Sequence, residues 1–215
     1  ELEYALNKVQ CRAIISAESF KSSRYLDMLC ELAPELADCE PGKLRAAKFP
    51  QLETVIRMGE ALTPGMFNFD EVCAMGTTTE QTRLLELKDL IMPDDAINIQ
   101  FTSGTTGNPK GATLSHCNVL NNGKVNGDVM RLTHEDKVCI PVPLYHCFGM
   151  VIGNLGCICH GATAVFPGEA FEPLSVLQTV AEEKCTALHG VPTMFIAELD
   201  HPEFDTFDLS SLRTG

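Results

Sequence analysis

Three short apolar runs in the second half of the chain, KVCIPV at 137–142, GATAVFP at 161–167 and CTALHG at 185–190, are strand-length, and the stretches between them are helix-length. Those intervening stretches, near 147–159 and 173–184, are apolar enough to cover a sheet. A strand that rejoins its own sheet through a helix lies parallel to its predecessor, so the pattern predicts βαβ units. The first half alternates in the same way. Leu2, Leu6 and Val9 share one helical stripe ahead of the strand-like CRAIIS at 11–16. Ser19 is placed to cap a second helix that turns Phe20, Leu26, Leu29 and Leu32 inward and stops at Pro34, and ETVIRM at 53–58 reads as the next strand. Residues 34–50, with three prolines and mixed charge, read as a surface connection. The expected fold class is α/β, a mostly parallel sheet with flanking helices.

Residues 79–91, TEQTRLLELKDLI, predict a short helix, which PDD at 93–95 breaks before the period-2 strand AINIQFT. GATLS at 111–115 reads as a return strand, and Ser115 as the cap of a helix beginning HCNVL. HGVPTMF at 189–195 reads as a strand end turning into a helix at Pro192, well placed to wall a crevice at the carboxyl edge of a sheet.

Composition narrows the function classes. The chain has 215 residues, 45% hydrophobic and 21% charged, which suits a packed globular core. Sixteen basic against 29 acidic side chains give a net charge of −13, so nucleic acid and anionic membrane surfaces are not expected partners. Ten cysteines are scattered without a CxxC pair, and reduced thiols are the expected state. Cys157, Cys159 and His160 lack the paired spacing of a zinc site. No run is long enough for a transmembrane segment, and ELEYALNKVQ has neither a signal core nor a transit pattern. A cytoplasmic location is expected, with the mitochondrial matrix as the eukaryotic alternative. The chain lacks an initiator Met and stops at SLRTG, so it reads as one partial domain, residues 1–215, cut from something longer. Nothing in the pattern specifies an oligomer.

Charge is uneven. Residues 101–150 carry four basic against three acidic side chains, whereas 151–215 carry two against nine. The net-positive stretch holds the loop Thr102, Ser103, Gly104, Thr105, Thr106, Gly107, Asn108, Pro109, Lys110, Gly111. Glycines let backbone N–H groups converge on an anion, hydroxyls donate further hydrogen bonds, and lysine supplies a mobile point charge, which together make a phosphate cradle. A Walker A loop would follow its lysine with Ser or Thr, but Lys110 is followed by Gly111 and Ala112. The spacing Gly-Thr-Thr-Gly at 104–107 also fails the kinase pattern.

TSGTTGNPKGATLSH resembles the signature loop of the adenylate-forming superfamily of acyl-CoA synthetases, luciferases of the firefly type and peptide-synthetase adenylation domains. With PLYHCFGM at 143–150 and GVPTMF at 190–195, it is most similar to medium- and long-chain fatty acyl-CoA synthetases, including the acyl-CoA synthetase family member 2 group. The resemblance is very specific at the loop, moderate at the other two motifs and diffuse before residue 95. It implies part of the large N-terminal domain, with the C-terminal domain absent. It also implies an ATP-dependent ligase that adenylates a small-molecule carboxylic acid, releases pyrophosphate and passes the acyl group to CoA.

By the same resemblance, Thr102 to Gly111 hold ATP phosphates, Lys110 stabilises the developing charge, and Thr102 meets Mg²⁺. His146 lies where acyl and AMP parts meet, and Tyr145, Phe148 and Gly149 line or shape the acyl tunnel. Gly190, Val191 and Pro192 border it. Read without the resemblance, His146 is equally a helix-start histidine satisfied by backbone, Val191, Met194 and Phe195 are equally core, and His189 is structural. The adenine-binding turn is expected just after Gly215, and residues 1–215 alone are expected to be inactive. Two alternatives stand beside the ligase: an adenylating enzyme with a carrier-protein acceptor, and a nucleotide-binding module without catalysis.

Overall fold

The computed structural model describes residues 1–102 and 107–215. The chain divides into two compact units, Glu1–Met92 with Phe101–Gly111, and Pro93–Gln100 with Ala112–Gly215.

In the first unit, helix α1 (Leu2–Lys8) precedes strand β1 (Ala13–Ser16). Ser19 does not cap a helix. It pairs with Arg24 in a hairpin of two-residue strands, β2 (Ser19–Phe20) and β3 (Ser23–Arg24), whose turn puts Lys21 at φ 53. Helix α2 (Tyr25–Leu32) starts five residues later than Ser19 predicts, and Asp27 in its first turn pairs with Arg24 at 2.5 Å. Strands β4 (Thr54–Arg57) and β5 (Phe67–Asn68) complete a parallel sheet ordered β1-β4-β5, with Ile14 opposite Val55 and Ile56 opposite Phe67.

The segment 34–50 runs along the surface as expected, most of it exposed, but it also sends side chains into the core. Leu36, Leu44, Ala46 and Phe49 are buried from it, packing with Leu26, Leu29, Leu52 and Val55 into this unit's core. Its three prolines are exposed, and Pro34 opens the 3-10 helix Pro34–Asp38 that carries Leu36 inward. Helices α3 (Phe69–Ala74) and α4 (Thr78–Leu87) follow, each opened by a reciprocal cap, Asn68 with Glu71 and Thr77 with Glu80.

Strands β6 (Ala96–Phe101) and β7 (Gly111–Ser115) pair on either side of the Gly-rich loop. Ser115 caps α5 (His116–Met130) as predicted, its hydroxyl accepting from the Asn118 N–H at 3.3 Å. Strand β8 (Lys137–Cys139) then leads into a π-helical segment, Phe148–Leu155, continued by α6 (Gly156–His160). Strand β9 (Thr163–Val165), α7 (Pro173–Glu183), β10 (Ala187–Leu188) and α8 (Pro192–Leu199) complete the order.

The second unit's sheet runs β10-β8-β9, all parallel, and Thr214 bridges Ala187 in the same direction. Its two faces are read directly from the period-2 alternation. Val138 and Ala187 face a core with Leu132, Ile140 and Cys157, whereas Cys139 and Leu188 face Val176, Val180 and Cys185. Helices thus cover both faces, and the expected α/β fold with parallel sheets is the one formed. All ten cysteines are free thiols.

Three glycines let neighbouring groups approach closely in this unit. A methyl on Gly123 of α5 would come within 3.0 Å of Leu155 Cβ and the Val151 carbonyl, and one on Gly127 within 2.3 Å of the His160 ring. Gly153 faces Ile140 in the same way, at 3.0 Å. The backbone of α5 therefore lies directly against the π-helical segment and α6.

Candidate functional site

The described ends of the Gly-rich loop are held as a closed neck. The Thr102 N–H donates to the Lys110 carbonyl at 2.9 Å, and the Lys110 N–H donates to Thr102 Oγ1 at 3.3 Å. The Tyr4 hydroxyl donates to the Pro109 carbonyl at 3.0 Å, fixing the loop's return to α1. Gly107 adopts φ +130 with open space where a side chain would stand, so the position requires glycine for its backbone shape rather than for room. Lys110 and Asn108 are exposed, and no carboxylate among the described residues forms an ion pair with Lys110. The neck presents a lysine charge, the Thr102 hydroxyl and a glycine backbone to solvent, which can bind an anion. Ser103, Gly104, Thr105 and Thr106 lie outside the described residues.

In the second unit, PLYHCFGM forms the turn that enters the π-helical segment. The Phe148 N–H donates to His146 Nδ1 at 3.1 Å, which makes Nδ1 the acceptor and leaves the ring proton on Nε2. The backbone reading of His146 is thus realised at one nitrogen, while the exposed ring keeps the other as a donor. The Gln100 side chain, at the end of β6, donates to the Tyr145 carbonyl at 3.2 Å and holds the turn. Gly149 is buried, and a methyl there would meet the Pro143 carbonyl oxygen at 2.5 Å, so the turn closes only on glycine.

Beside this turn a cavity of about 810 Å³ opens within the second unit. Phe148 and Ile152 of the π-helical segment, Val176 and Val180 of α7, and Leu188 at the end of β10 form apolar walls. Of the predicted pocket residues, Phe148 and Gly190 line it; Tyr145, His146, Gly149, Val191 and Pro192 do not. Pro192 starts α8 as predicted, and Gly190 is the floor under the Phe195 ring, 2.9 Å from where its methyl would be.

Two polar lining residues stand out, one read from the sequence as structural and the other not singled out there. His189 is 3% exposed, stands edge-on to the Phe148 ring with centroids 5.4 Å apart, and burial pushes its pKa down. Glu198 is 4% exposed, and burial pushes its carboxyl up to about 7. A Glu on an amphipathic helix ordinarily reads as solvent-facing. The available signal was its spacing, three residues after Phe195 on the same helical stripe.

Next to the cavity's edge, Asp136 ties the chain's last residues to β8. Burial opposes its ionisation, but hydrogen bonds from Arg213, Thr186 and Thr133 outweigh that and hold the carboxyl well below the usual range. Arg213 also donates to the Met130 and Arg131 carbonyls, at 3.2 and 2.8 Å, and so fastens the end of α5.

The Gly-rich segment between paired strands, ahead of a parallel sheet covered by helices on both faces, places the chain in the α/β class. The sequence matches the AMP-binding enzyme family over residues 1–215, and the chain belongs to that family. It is 46% identical to YngI of Bacillus subtilis (strain 168), which carries an acyl-CoA synthetase name, and 43% identical to the mitochondrial medium-chain acyl-CoA ligase ACSF2 of Danio rerio. Both matches cover 100% of this chain but only 39% and 36% of the relatives, so the chain spans less than two-fifths of their length. Among solved structures, an anthranilate CoA ligase bound to anthranoyl-AMP, AuaEII, superposes over 99% of this chain and 37% of its own, with a TM-score of 0.75 at 24% identity. That likeness establishes the fold. Among the described residues, no helix is long and apolar enough to cross a membrane.

Proposed function

We propose that the protein carrying this chain is an ATP-dependent fatty acid CoA ligase, and that residues 1–215 form part of its large N-terminal domain. The observation that carries the reading is the Thr102–Gly111 loop, closed at its neck and presenting Lys110 without a carboxylate partner among the described residues. In the first half-reaction a fatty carboxylate oxygen attacks the α-phosphate of ATP, the bond to the β-phosphate breaks, and pyrophosphate leaves with the electron pair. Donors of the loop hold the leaving pyrophosphate, and the Lys110 ammonium offsets the charge that grows on it. His146, with its proton on Nε2, donates to an oxygen at the junction of acyl and phosphoryl groups. CoA thiolate then attacks the acyl carbon and AMP departs.

Mg²⁺ fits Thr102 as an accessory ligand. The residue offers one neutral hydroxyl oxygen, and Mg²⁺ in such sites takes most of its ligands from phosphates and water. When bound, the ion neutralises phosphate charge; the chain's own part is to keep the hydroxyl at the loop's neck.

The cavity lined by Phe148 and Gly190 takes the acyl chain in this reading. Its volume, about 810 Å³, lies in the range of small-molecule sites. The medium-chain name of the ACSF2 relatives, and the mitochondrial location in that name, support medium-chain acids and a mitochondrial location. The test is to give the full-length protein ATP, CoA and fatty acids of graded length and identify the nucleotide product. AMP with pyrophosphate supports the reading; ADP with orthophosphate overturns it.

A further inference from the structure

The cavity in the second unit holds two stranded polar atoms. Glu198 Oε1 and His189 Nε2 are buried with no hydrogen-bond partner among the described residues, and both residues line the same cavity, among walls that are otherwise mainly apolar. A buried polar group left unpaired is destabilising, because it has given up its water without gaining a partner. Both groups stand around one cavity.

The chemistry of the missing partner follows from theirs. No cation among the described residues pairs with Glu198, and burial favours the neutral form of both groups, pushing the carboxyl up to about 7 and the imidazole down. A neutral carboxyl donates one hydrogen bond and accepts others, and a neutral imidazole offers one donor and one acceptor. A saturated hydrocarbon chain filling this space would leave both unpaired. A charged ammonium or carboxylate would add its own burial cost. A hydroxyl, which donates once and accepts twice, satisfies the pair while the rest of its chain lies on Val176, Val180 and Leu188.

We infer that the cavity selects acyl chains bearing a hydroxyl within their hydrocarbon portion, with Glu198 and His189 as the residues that bind it. The inference rests on the acyl-pocket reading given above. It makes Glu198 a specificity-determining residue of that pocket.

The experiment measures kcat/KM for AMP formation by the full-length protein with decanoic acid and with each monohydroxydecanoic acid hydroxylated from carbon 5 to carbon 10. Sites built to hydrogen-bond a substrate hydroxyl reject the analogue lacking it strongly, so at least one hydroxylated isomer is expected to exceed decanoic acid by about ten-fold or more. Glu198→Leu is expected to lower that ratio at least about ten-fold, and Glu198→Gln, which keeps hydrogen-bonding capacity, to retain most of it. Circular dichroism checks that both variants fold. If decanoic acid is preferred over every isomer, or if Glu198→Leu leaves the ratio unchanged, the inference is wrong. If no acid yields AMP, the ligase reading itself fails. Calorimetric titration of the same acids then decides the cavity's selectivity, which is refuted if wild type and Glu198→Leu bind both kinds alike.

Discussion

Arg213→Met removes the cation from the Asp136 cluster while keeping side-chain length, and its cost can be worked from the surroundings of each partner. Asp136 loses two charge-assisted bonds, at 3.0 and 2.5 Å, but keeps those from the Thr133 N–H, the Thr133 hydroxyl and the Thr186 hydroxyl. Breaking a fully buried pair costs about 3–5 kcal/mol, whereas an exposed pair contributes about 0–1 kcal/mol. Here the carboxylate side chain is 5% exposed and the guanidinium 41%, which places the loss between those limits, at about 2–3 kcal/mol. For a chain of this size that is a fall in Tm of about 5–10 °C. The pH dependence has a definite sign. The folded-state pKa of Asp136 is depressed, so its contribution is complete above the unfolded value, about 3.9, and declines as pH falls toward the folded one. The gap between wild type and Arg213→Met should therefore be full at pH 7 and narrower at pH 3. Urea denaturation followed by far-UV circular dichroism at both pH values measures it. A gap under about 0.5 kcal/mol at pH 7, or an equal gap at pH 3, would refute the electrostatic account.

Three further outcomes follow from the same structure. Lys110→Ala in the full-length protein should slow the adenylation half-reaction by about 1.5–3 kcal/mol, roughly 10- to 150-fold, read as pyrophosphate release in a single turnover; an unchanged rate removes Lys110 from the mechanism. Gly149→Ala forces a methyl toward the Pro143 carbonyl and should destabilise by about 1–3 kcal/mol with a lower kcat/KM, and a variant as stable as wild type would show that the turn yields. His160 bonds Asp128 Oδ1 at 3.0 Å and the Gly156 carbonyl at 2.9 Å, and these bonds raise its pKa. Its contribution is thus complete below the unfolded value, about 6.5, and fades as pH rises through the folded one. His160→Gln should accordingly cost more Tm at pH 6 than at pH 9, and a pH-independent loss would contradict this.

Elements bounded by local chemistry were legible in the sequence. The Ser115 cap, the Pro192 helix start and the strand at 96–101 stand where propensity and turn residues put them, because each is decided within a few residues. Ser19 misled because a hydroxyl before an apolar run is a cap only if the chain turns helical there; a tight turn at Lys21 intervenes. The core anchors of residues 34–50 have no sustained period to detect, since Leu36 reaches the core from a short 3-10 helix and Leu44 and Phe49 from irregular backbone. At the candidate site, the loop announced itself by composition. His189 and Glu198 did not, because their significance lies in what surrounds them rather than in what precedes or follows them.

The π-helical winding from Phe148 to Leu155 closes its hydrogen bonds over five residues instead of four, so it stores one more residue than an α-helix of the same span. The wall it gives the cavity can therefore lose a residue by tightening into an ordinary helix. It has no equivalent way to absorb an extra one, since Gly123 holds it backbone-close to α5 on one side and the Ile140 side chain packs against Gly153 on another. Among proteins built on this plan, length variation in that wall should run toward shortening.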